Sequence, residues 1–194
     1  MPELVYGKAV DIAPGIRRLT APNPGVMTDA GTNTYLLGLE NVAVVDPGPD
    51  IAEHVEAIVA AVASRGGTIR QIFATHTHID HSPATRGLLQ HCDAEVIGVL
   101  APDQMFQDET FKPDIECFDG QCFETSEYRL QAIHTPGHVS NHYCFLETNA
   151  GLLFTGDHIM AGTTVVIVPP SGDMADYIAS LQKLLDYPIK QLGP

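Results

Sequence analysis

The chain has 194 residues, of which 44% are hydrophobic, and 24 acidic residues against 10 basic ones give a formal net charge of −14. This length and apolar content fit one domain, residues 1–194, with a substantial core, and the negative charge disfavours a broad attraction to a nucleic-acid backbone. No run approaches the ~18 apolar residues that span a bilayer, the first residues lack a secretory-signal pattern, and the four cysteines form no CxxC pair. We therefore expect a cytoplasmic protein with reduced thiols and no membrane partner.

The first predicted elements are two strands and a helix. Residues 32–39 and 41–46 are short apolar or alternating runs, which predict paired strands. Residues 51–62 then place apolar side chains at helical spacing directly after Asp50, a favourable N-cap residue. This pattern predicts an amphipathic helix packed on a sheet.

A third strand and a second helix are predicted on either side of a histidine-rich loop. Residues 69–74 predict the strand, and a Ser-Pro pair at 82–83 predicts a helix that runs to about Cys92. Residues 94–100 predict another strand, whereas residues 101–120 lack clear periodicity and are expected to form a surface excursion.

The second half is predicted to be mostly strands, followed by a last helix after Asp173. The predicted strands are residues 128–134, 142–147, 152–155 and 163–168. Apolar residues at helical spacing mark the last helix: Met174, Ile178, Leu181 and Leu185. Runs of strands with helices interposed at three places indicate an α+β fold with two packed sheets covered by helices.

Four potential metal ligands lie within six residues of the loop after the third strand: His76, His78, Asp80 and His81. Imidazole nitrogens and carboxylate oxygens suit borderline divalent cations, Zn²⁺ above all. In an extended segment residues 76, 78 and 80 point to one side, so two histidines can share one ion while Asp80 and His81 turn toward a second. A single histidine beside a strand is usually packed or capping, but this combination predicts a metal site.

Two later segments have the same form, a strand that ends in a glycine turn carrying a ligand. They are residues 135–138 (TPGH) and residues 155–158 (TGDH). Each is expected to deliver one side chain, His138 or Asp157, to the edge of the sheet that holds the histidine loop.

These three segments resemble the ligand-bearing segments of the metallo-β-lactamase superfamily, in which a THxHxDH loop, a PGH turn and a GD turn recur in this order. The resemblance runs from Thr32 to the C-terminus and implies a four-layer αββα sandwich. It places His76, His78 and His138 on one metal and Asp80 and His81 on the other, with Asp157 bridging both. An aspartate bridge is similar to that of glyoxalase II and the tRNA-processing nucleases, whereas β-lactamases proper usually place a cysteine there, so a true β-lactamase is disfavoured.

One ligand of that family pattern has no counterpart in the chain. A final histidine, typically in a Gly-His context, is expected after a late strand, and the chain ends at residues 191–194. The resemblance therefore implies two zinc ions in a domain that is either C-terminally truncated or has an incomplete second site, and iron or manganese is an alternative metal.

Other polar residues are expected to contact a ligand or the substrate: Asn33, Asp46, His142 and His158. Asp46 in particular could orient a ligand histidine as a hydrogen-bond acceptor. His54 and His91 are expected to be solvated helix residues, and His134 a strand residue.

The resemblance implies a hydrolase in which two adjacent dications lower the pKa of a bridging water from ~15.7 toward roughly 7. Asp80 is the expected catalytic residue, because it could orient the hydroxide and return a proton to the leaving group. Residues 135–142 and 156–182 look most like the lactamase-beta-2-like branch, which includes thioesterase-type enzymes and an RNA endonuclease. The substrate is thus a thioester, an ester or a phosphodiester, and the acidity of the chain favours a small acyl substrate over RNA.

Two hypotheses of other classes stay open. Persulfide dioxygenases share these motifs but use one iron, held by two histidines and an aspartate, and a defective second site would suit them. A binding domain that keeps the fold without catalysis is the other, and the intact set of ligands speaks against it.

Overall fold

Two β-sheets pack face to face in the computed structural model, which describes residues 4–102 and 106–194. Helices cover the outer faces of both sheets, so the layers run helix, sheet, sheet, helix. The predicted α+β fold, a four-layer αββα sandwich, is confirmed. No helix of the described residues is long and apolar enough to cross a membrane.

The first sheet has seven strands within the described residues, hydrogen-bonded in chain order. β1 to β4 pair antiparallel, and β4 to β7 pair parallel. The strands are β1 (Val10–Ala13), β2 (Ile16–Thr20), β3 (Asn33–Leu37), β4 (Asn41–Val45), β5 (Thr68–Phe73), β6 (Glu95–Gly98) and β7 (Ile115–Glu116). Helices α1 (Ala52–Ala63) and α2 (Ala84–Leu88) follow β4 and β5 and lie on the outer face of this sheet.

The second sheet has five described strands in the order β12-β11-β10-β9-β8. All its pairs are antiparallel except β11 with β12. The strands are β8 (Cys122–Glu124), β9 (Arg129–His134), β10 (Tyr143–Glu147), β11 (Leu152–Phe154) and β12 (Gln191–Gly193). Helix α3 (Met174–Leu184) packs on its outer face through Leu184.

Strand β4 illustrates how one run of residues serves two layers. Val42 and Val44 pack under α1, whereas Ala43 and Val45 face the core between the sheets. Successive side chains of a strand point to opposite faces, and a strand covered on both faces is apolar throughout. This explains why residues 41–45 are nearly all aliphatic.

Most predicted elements are present. The strands predicted at 32–39, 41–46, 69–74, 94–100, 128–134, 142–147 and 152–155 correspond to β3, β4, β5, β6, β9, β10 and β11. Helix α3 begins after Asp173, whose carboxylate accepts hydrogen bonds from the backbone N–H groups of Ala175 and Asp176. The side-chain cap therefore fixes where this helix starts.

Two predicted helix starts are wrong. The N-cap residue of α1 is Ile51, and Asp50 instead forms an ion pair with Arg86. Ser82 does not cap α2, because its hydroxyl donates to Asp108 Oδ2 at 2.8 Å. Helix α2 also ends at Leu88, short of the predicted end near residue 92.

The strand predicted at 163–168 is absent from the described structure, and β1, β2, β8 and β12 were not predicted. The apolar run at 163–168 finds no neighbouring strand, and its Val166 carbonyl accepts a hydrogen bond from His138. The predicted excursion at 101–120 is partly wrong, because it contains β7 and Phe111, which is 3% exposed. Residues 103–105 of that segment lie outside the described residues.

The prediction that His54 is solvated is wrong, whereas His91 is exposed and His134 ends β9 as predicted. His54 is 1% exposed, and its Nε2 lies 2.9 Å from Thr34 Oγ1. It occupies the buried face of α1 four residues before Ile58, so the helix turns it inward. Burial lowers the pKa of His54 to about 4.

This histidine should make the fold less stable as the pH falls. Since the pKa of His54 is lower in the folded chain than the ~6.5 of an unfolded one, the unfolded chain gains the proton first, and stability is lost between about pH 6.5 and 4. Relative to His54→Gln, the wild-type free energy of unfolding should drop by roughly 2 kcal/mol more between pH 7 and pH 5. Urea denaturation at the two pH values measures this. An equal drop in both proteins, or the same difference for the exposed-site control His91→Gln, would contradict the assignment.

Candidate metal centre

The three ligand-bearing segments meet at one edge of the sandwich, because each follows a strand whose end lies there. His76 follows β5 of the first sheet, His138 follows β9 of the second, and Asp157 follows β11. The ends of neighbouring strands bring residues distant in sequence to a common edge. The sequence prediction that these segments converge agrees with the structure.

Four side chains form a tight group: His76, His78, His138 and Asp157 each offer one ligand atom, and these atoms all lie within 4.8 Å of one another. His78 Nδ1 is 3.0 Å from His76 Nε2 and 3.0 Å from His138 Nε2. His138 Nδ1 donates to the Val166 carbonyl at 2.6 Å, which leaves a lone pair on Nε2 when the ring is neutral. His78 Nδ1 carries at most one proton, so it cannot donate a separate hydrogen bond to each of the other two nitrogens. These closely spaced nitrogens and the Asp157 carboxylate form a donor set that fits a borderline divalent cation such as Zn²⁺.

The electrostatics keep two of these imidazoles neutral and therefore able to bind a cation. Burial lowers the pKa of His76 well below its usual range, and the neighbouring His81 and His78 lower it further. Burial and the neighbouring His138 lower the pKa of His78 to about 4. A metal ligand must be deprotonated, and these groups already are near neutral pH.

A second group lies beside the first. His81 Nε2 is 3.2 Å from Asp157 Oδ1 and 3.6 Å from Asp80 Oδ2. Burial lowers the pKa of His81, but the carboxylates of Asp80, Asp157 and Asp46 outweigh it and hold that pKa well above the usual range. Burial likewise raises the pKa of Asp157, yet the contacts with His81 and His138 hold it well below its usual range. Positive charge is thus stabilised between these carboxylates, where the resemblance places a second cation.

The Asp46 carboxylate makes hydrogen-bonding contacts with two residues of the histidine loop, Thr75 and His81. It accepts from the Thr75 backbone N–H at 2.7 Å and from the Thr75 hydroxyl at 2.8 Å, and it lies 3.0 Å from His81 Nδ1. Asp46 has a φ of 49°, a conformation that favours small polar residues. The structure therefore places Asp46 where it orients His81, as the sequence suggested.

Of the other residues expected to contact a ligand or the substrate, Asn33 lies apart from the histidines, whereas His142 and His158 lie among them. The Asn33 side chain accepts a hydrogen bond from the Thr20 hydroxyl and donates one to the Pro194 carbonyl, and it belongs to neither histidine group. His142 is fully buried, with Nδ1 2.9 Å from Thr135 Oγ1 and its ring centroid 5.1 Å from that of His76. His158 is also fully buried, and neither of its ring nitrogens has a hydrogen-bond partner among the described residues.

Gly156 explains how the turn carrying Asp157 fits so closely under the histidine loop. It has a φ of 46°, and a Cβ on it would lie 2.5 Å from Thr75 Oγ1 and 2.8 Å from His142 Nε2. Any larger residue would push the turn away from β5. Glycine here therefore sets the position of Asp157.

Sequence reasoning missed a cavity of about 480 Å³ next to the group of four. We call it the apolar pocket; its apolar walls are Met27, Ile79, Phe106, Val139, Val166, Val168 and Pro170. His78, Asp80, His138 and Asp157 also line it. Its apolar walls come from five separate segments without periodicity, and the only signal in the sequence is the apolar run at 163–168, whose pattern predicts a strand instead.

The fold and the histidine groups define a candidate metal site at one edge of an αββα sandwich. Residues 27–192 match the family model described as the metallo-beta-lactamase superfamily, and the chain belongs to this superfamily. The resemblance drawn from the three motifs is confirmed.

Relatives and solved structures of similar fold agree with this membership. The chain is 29% identical over 180 residues to an atrochrysone carboxyl ACP thioesterase of Claviceps purpurea, an alignment that covers 90% of the chain and 54% of the relative. The chain spans about half the length of the curated relatives it matches. A metallo-beta-lactamase family protein from Thermus thermophilus superposes with a TM-score of 0.73 at 22% identity, covering 91% of the chain and 71% of that protein. A protein crystallised in a di-iron-bound form has a TM-score of 0.69 at 23% identity, covering 88% of each chain.

Proposed function

We propose that the chain is a metal-dependent hydrolase acting on the carbonyl of a thioester or ester. The observation that carries this proposal is that three members of the group of four, His78, His138 and Asp157, line the apolar pocket. A substrate in the pocket would have its scissile bond beside the ligand atoms.

Different residues would bind the cation and transfer protons. His76, His78, His138 and Asp157 would hold a divalent cation, which would supply Lewis-acid chemistry at the carbonyl and lower the pKa of water. Asp80 lies on the pocket wall with a side chain that is 25% exposed, so it can accept a proton from water and return it to the leaving group. Asp46 would orient His81, and the fully buried ring of His142 lies next to that of His76.

An acyl substrate is better supported than RNA. None of the described residues that line the apolar pocket is a lysine or arginine, and Asp80 and Asp157 would repel a phosphate backbone. The relative from Claviceps purpurea is named as a thioesterase. Zinc is the proposed metal on the chemistry of the ligands, and iron is the alternative because one protein of similar fold was crystallised with two irons.

Hydrolysis assays on defined metal forms test the proposal. Protein loaded with zinc should hydrolyse an acyl thioester, lose this activity with a chelator and regain it when zinc is restored. A single-stranded RNA substrate is the parallel assay, and it should be left intact. Cleavage of RNA with no thioester hydrolysis would overturn the acyl substrate, and one iron per chain with oxygen consumption would support a dioxygenase instead.

A further inference from the structure

We propose that Phe106 is a specificity-determining residue that selects substrates with a hydrophobic acyl group. The inference rests on the proposed function for the reaction, but the selection itself is a binding property of the apolar pocket. Phe106 lines that pocket together with Ile79, His78 and His138.

Phe106 has an unusual backbone conformation for its residue type. Its φ is 60°, in the left-handed region where the Cβ of an L-residue crowds the following carbonyl oxygen. Side chains as bulky as phenylalanine rarely adopt it, and such residues concentrate at binding and catalytic sites. The conformation is thus typical of a residue at a binding site.

Backbone hydrogen bonds join Phe106 to the histidine loop. Ile79 N–H donates to the Phe106 carbonyl at 3.2 Å, and His78 and Gln107 form an antiparallel bridge. Asp108 N–H then donates to the Thr77 carbonyl at 2.6 Å. The segment 106–108 therefore runs beside residues 77–79, and the backbone of Phe106 is fixed next to the loop that carries His78.

The ring itself faces the pocket and contributes little to the core. Phe106 is 68% exposed, and none of the four hydrophobic clusters includes it. Phe118 is 65% exposed but does not line the pocket, and it has no such backbone conformation. The two phenylalanines therefore form a matched pair, in which only Phe106 stands beside the histidines.

The chemistry of the pocket defines the group it would hold. Phe106, Ile79, Met27, Val166 and Val168 offer apolar surface that is exposed in the absence of substrate. The cavity of about 480 Å³ lies within the usual range for small-molecule sites. An alkyl or aryl acyl group would cover this surface, whereas an acetyl group offers too little apolar surface to do so.

Binding of an uncharged amide tests the selection without requiring catalysis. Octanamide carries the apolar chain but cannot be hydrolysed as a thioester, and its affinity is measured by calorimetric titration of the zinc-loaded protein. We expect Phe106→Ala to weaken octanamide binding about tenfold, because a large apolar contact is lost. Phe118→Ala should bind octanamide as the wild type does.

A second variant separates the ring from the backbone. Asn adopts the left-handed conformation more readily than most residues, so Phe106→Asn should fold like the wild type and bind octanamide as weakly as Phe106→Ala. In parallel, kcat/KM for an octanoyl thioester should fall about tenfold in both variants, while that for an acetyl thioester should change less than about twofold.

The two sets of measurements distinguish the failure of each proposal. If no thioester is hydrolysed, the proposed function is wrong, and octanamide binding still decides the role of Phe106. Wild-type binding of octanamide by Phe106→Ala, wild-type binding by Phe106→Asn, or an equal loss in Phe118→Ala would overturn the inference.

Discussion

His76→Ala should weaken zinc binding by at least about 100-fold and abolish hydrolysis. Residues that only hydrogen-bond to a metal ligand already contribute roughly 10- to 100-fold to metal affinity, and a direct ligand should contribute more. His76 is 1% exposed, and its ring centroid lies within 5.1 Å of the ring centroids of His78, His81, His138 and His142. Removing this ring would leave a gap between the group of four and the second group, which contains His81. Zinc affinity is measured by competition with a chromogenic chelator, and stoichiometry by metal analysis.

His91→Ala is the control for this experiment, because His91 is exposed and lies beyond the end of α2. It should bind zinc with wild-type affinity. Zinc affinity of His76→Ala within about threefold of the wild-type value would remove His76 from the ligand set.

Asp80→Asn should lower turnover by about 100-fold or more while zinc stays bound at the group of four. An amide can occupy the same space but cannot accept a proton, and general acid-base residues contribute roughly 10²- to 10⁴-fold. Asp80 does not belong to the group of four, so the cation there keeps its ligands. The measurements are kcat for thioester hydrolysis and zinc content of the same sample.

The exposed-site variant Asp93→Asn makes the same change of charge far from the pocket and should keep full activity. Near wild-type turnover by Asp80→Asn would exclude Asp80 from proton transfer. Equal loss of zinc and activity would make Asp80 a ligand that the cation depends on.

The candidate site could be located from sequence because its ligands are local features of the chain. His76, His138 and Asp157 each sit in a short turn directly after a recognisable strand. Strand ends of packed sheets share an edge, so the spacing of motifs along the chain was enough to predict their convergence. No knowledge of loop conformation was needed for this step.

The apolar pocket could not be predicted, because its walls are brought together only by the tertiary fold. Phe106 depends on hydrogen bonds to residues 77–79 for its position, and residues 163–168 depend on the bond between Val166 and His138. A run of β-branched residues predicts a strand. A strand also requires a neighbouring strand with unpaired backbone groups, and no described strand pairs with residues 163–168.

The burial of His54 was within reach of the sequence. It lies four residues before Ile58 and eight before Val62, on the stripe of α1 that faces the sheet. The position of Asn33 could not be predicted from the sequence, because its side chain donates to the Pro194 carbonyl at the far end of the chain. Contacts between residues so far apart leave no local pattern.

The contact between His78 and His138 joins residues 60 positions apart, one on a loop of each sheet. A cation bound there is a cross-link between the two halves of the sandwich, and it forms only when both halves have folded. Above the dissociation constant, each tenfold rise in free metal should then add about 1.4 kcal/mol to the free energy of unfolding. The abundance of the folded protein in a cell would in this way follow the supply of the metal as well as the rate of synthesis.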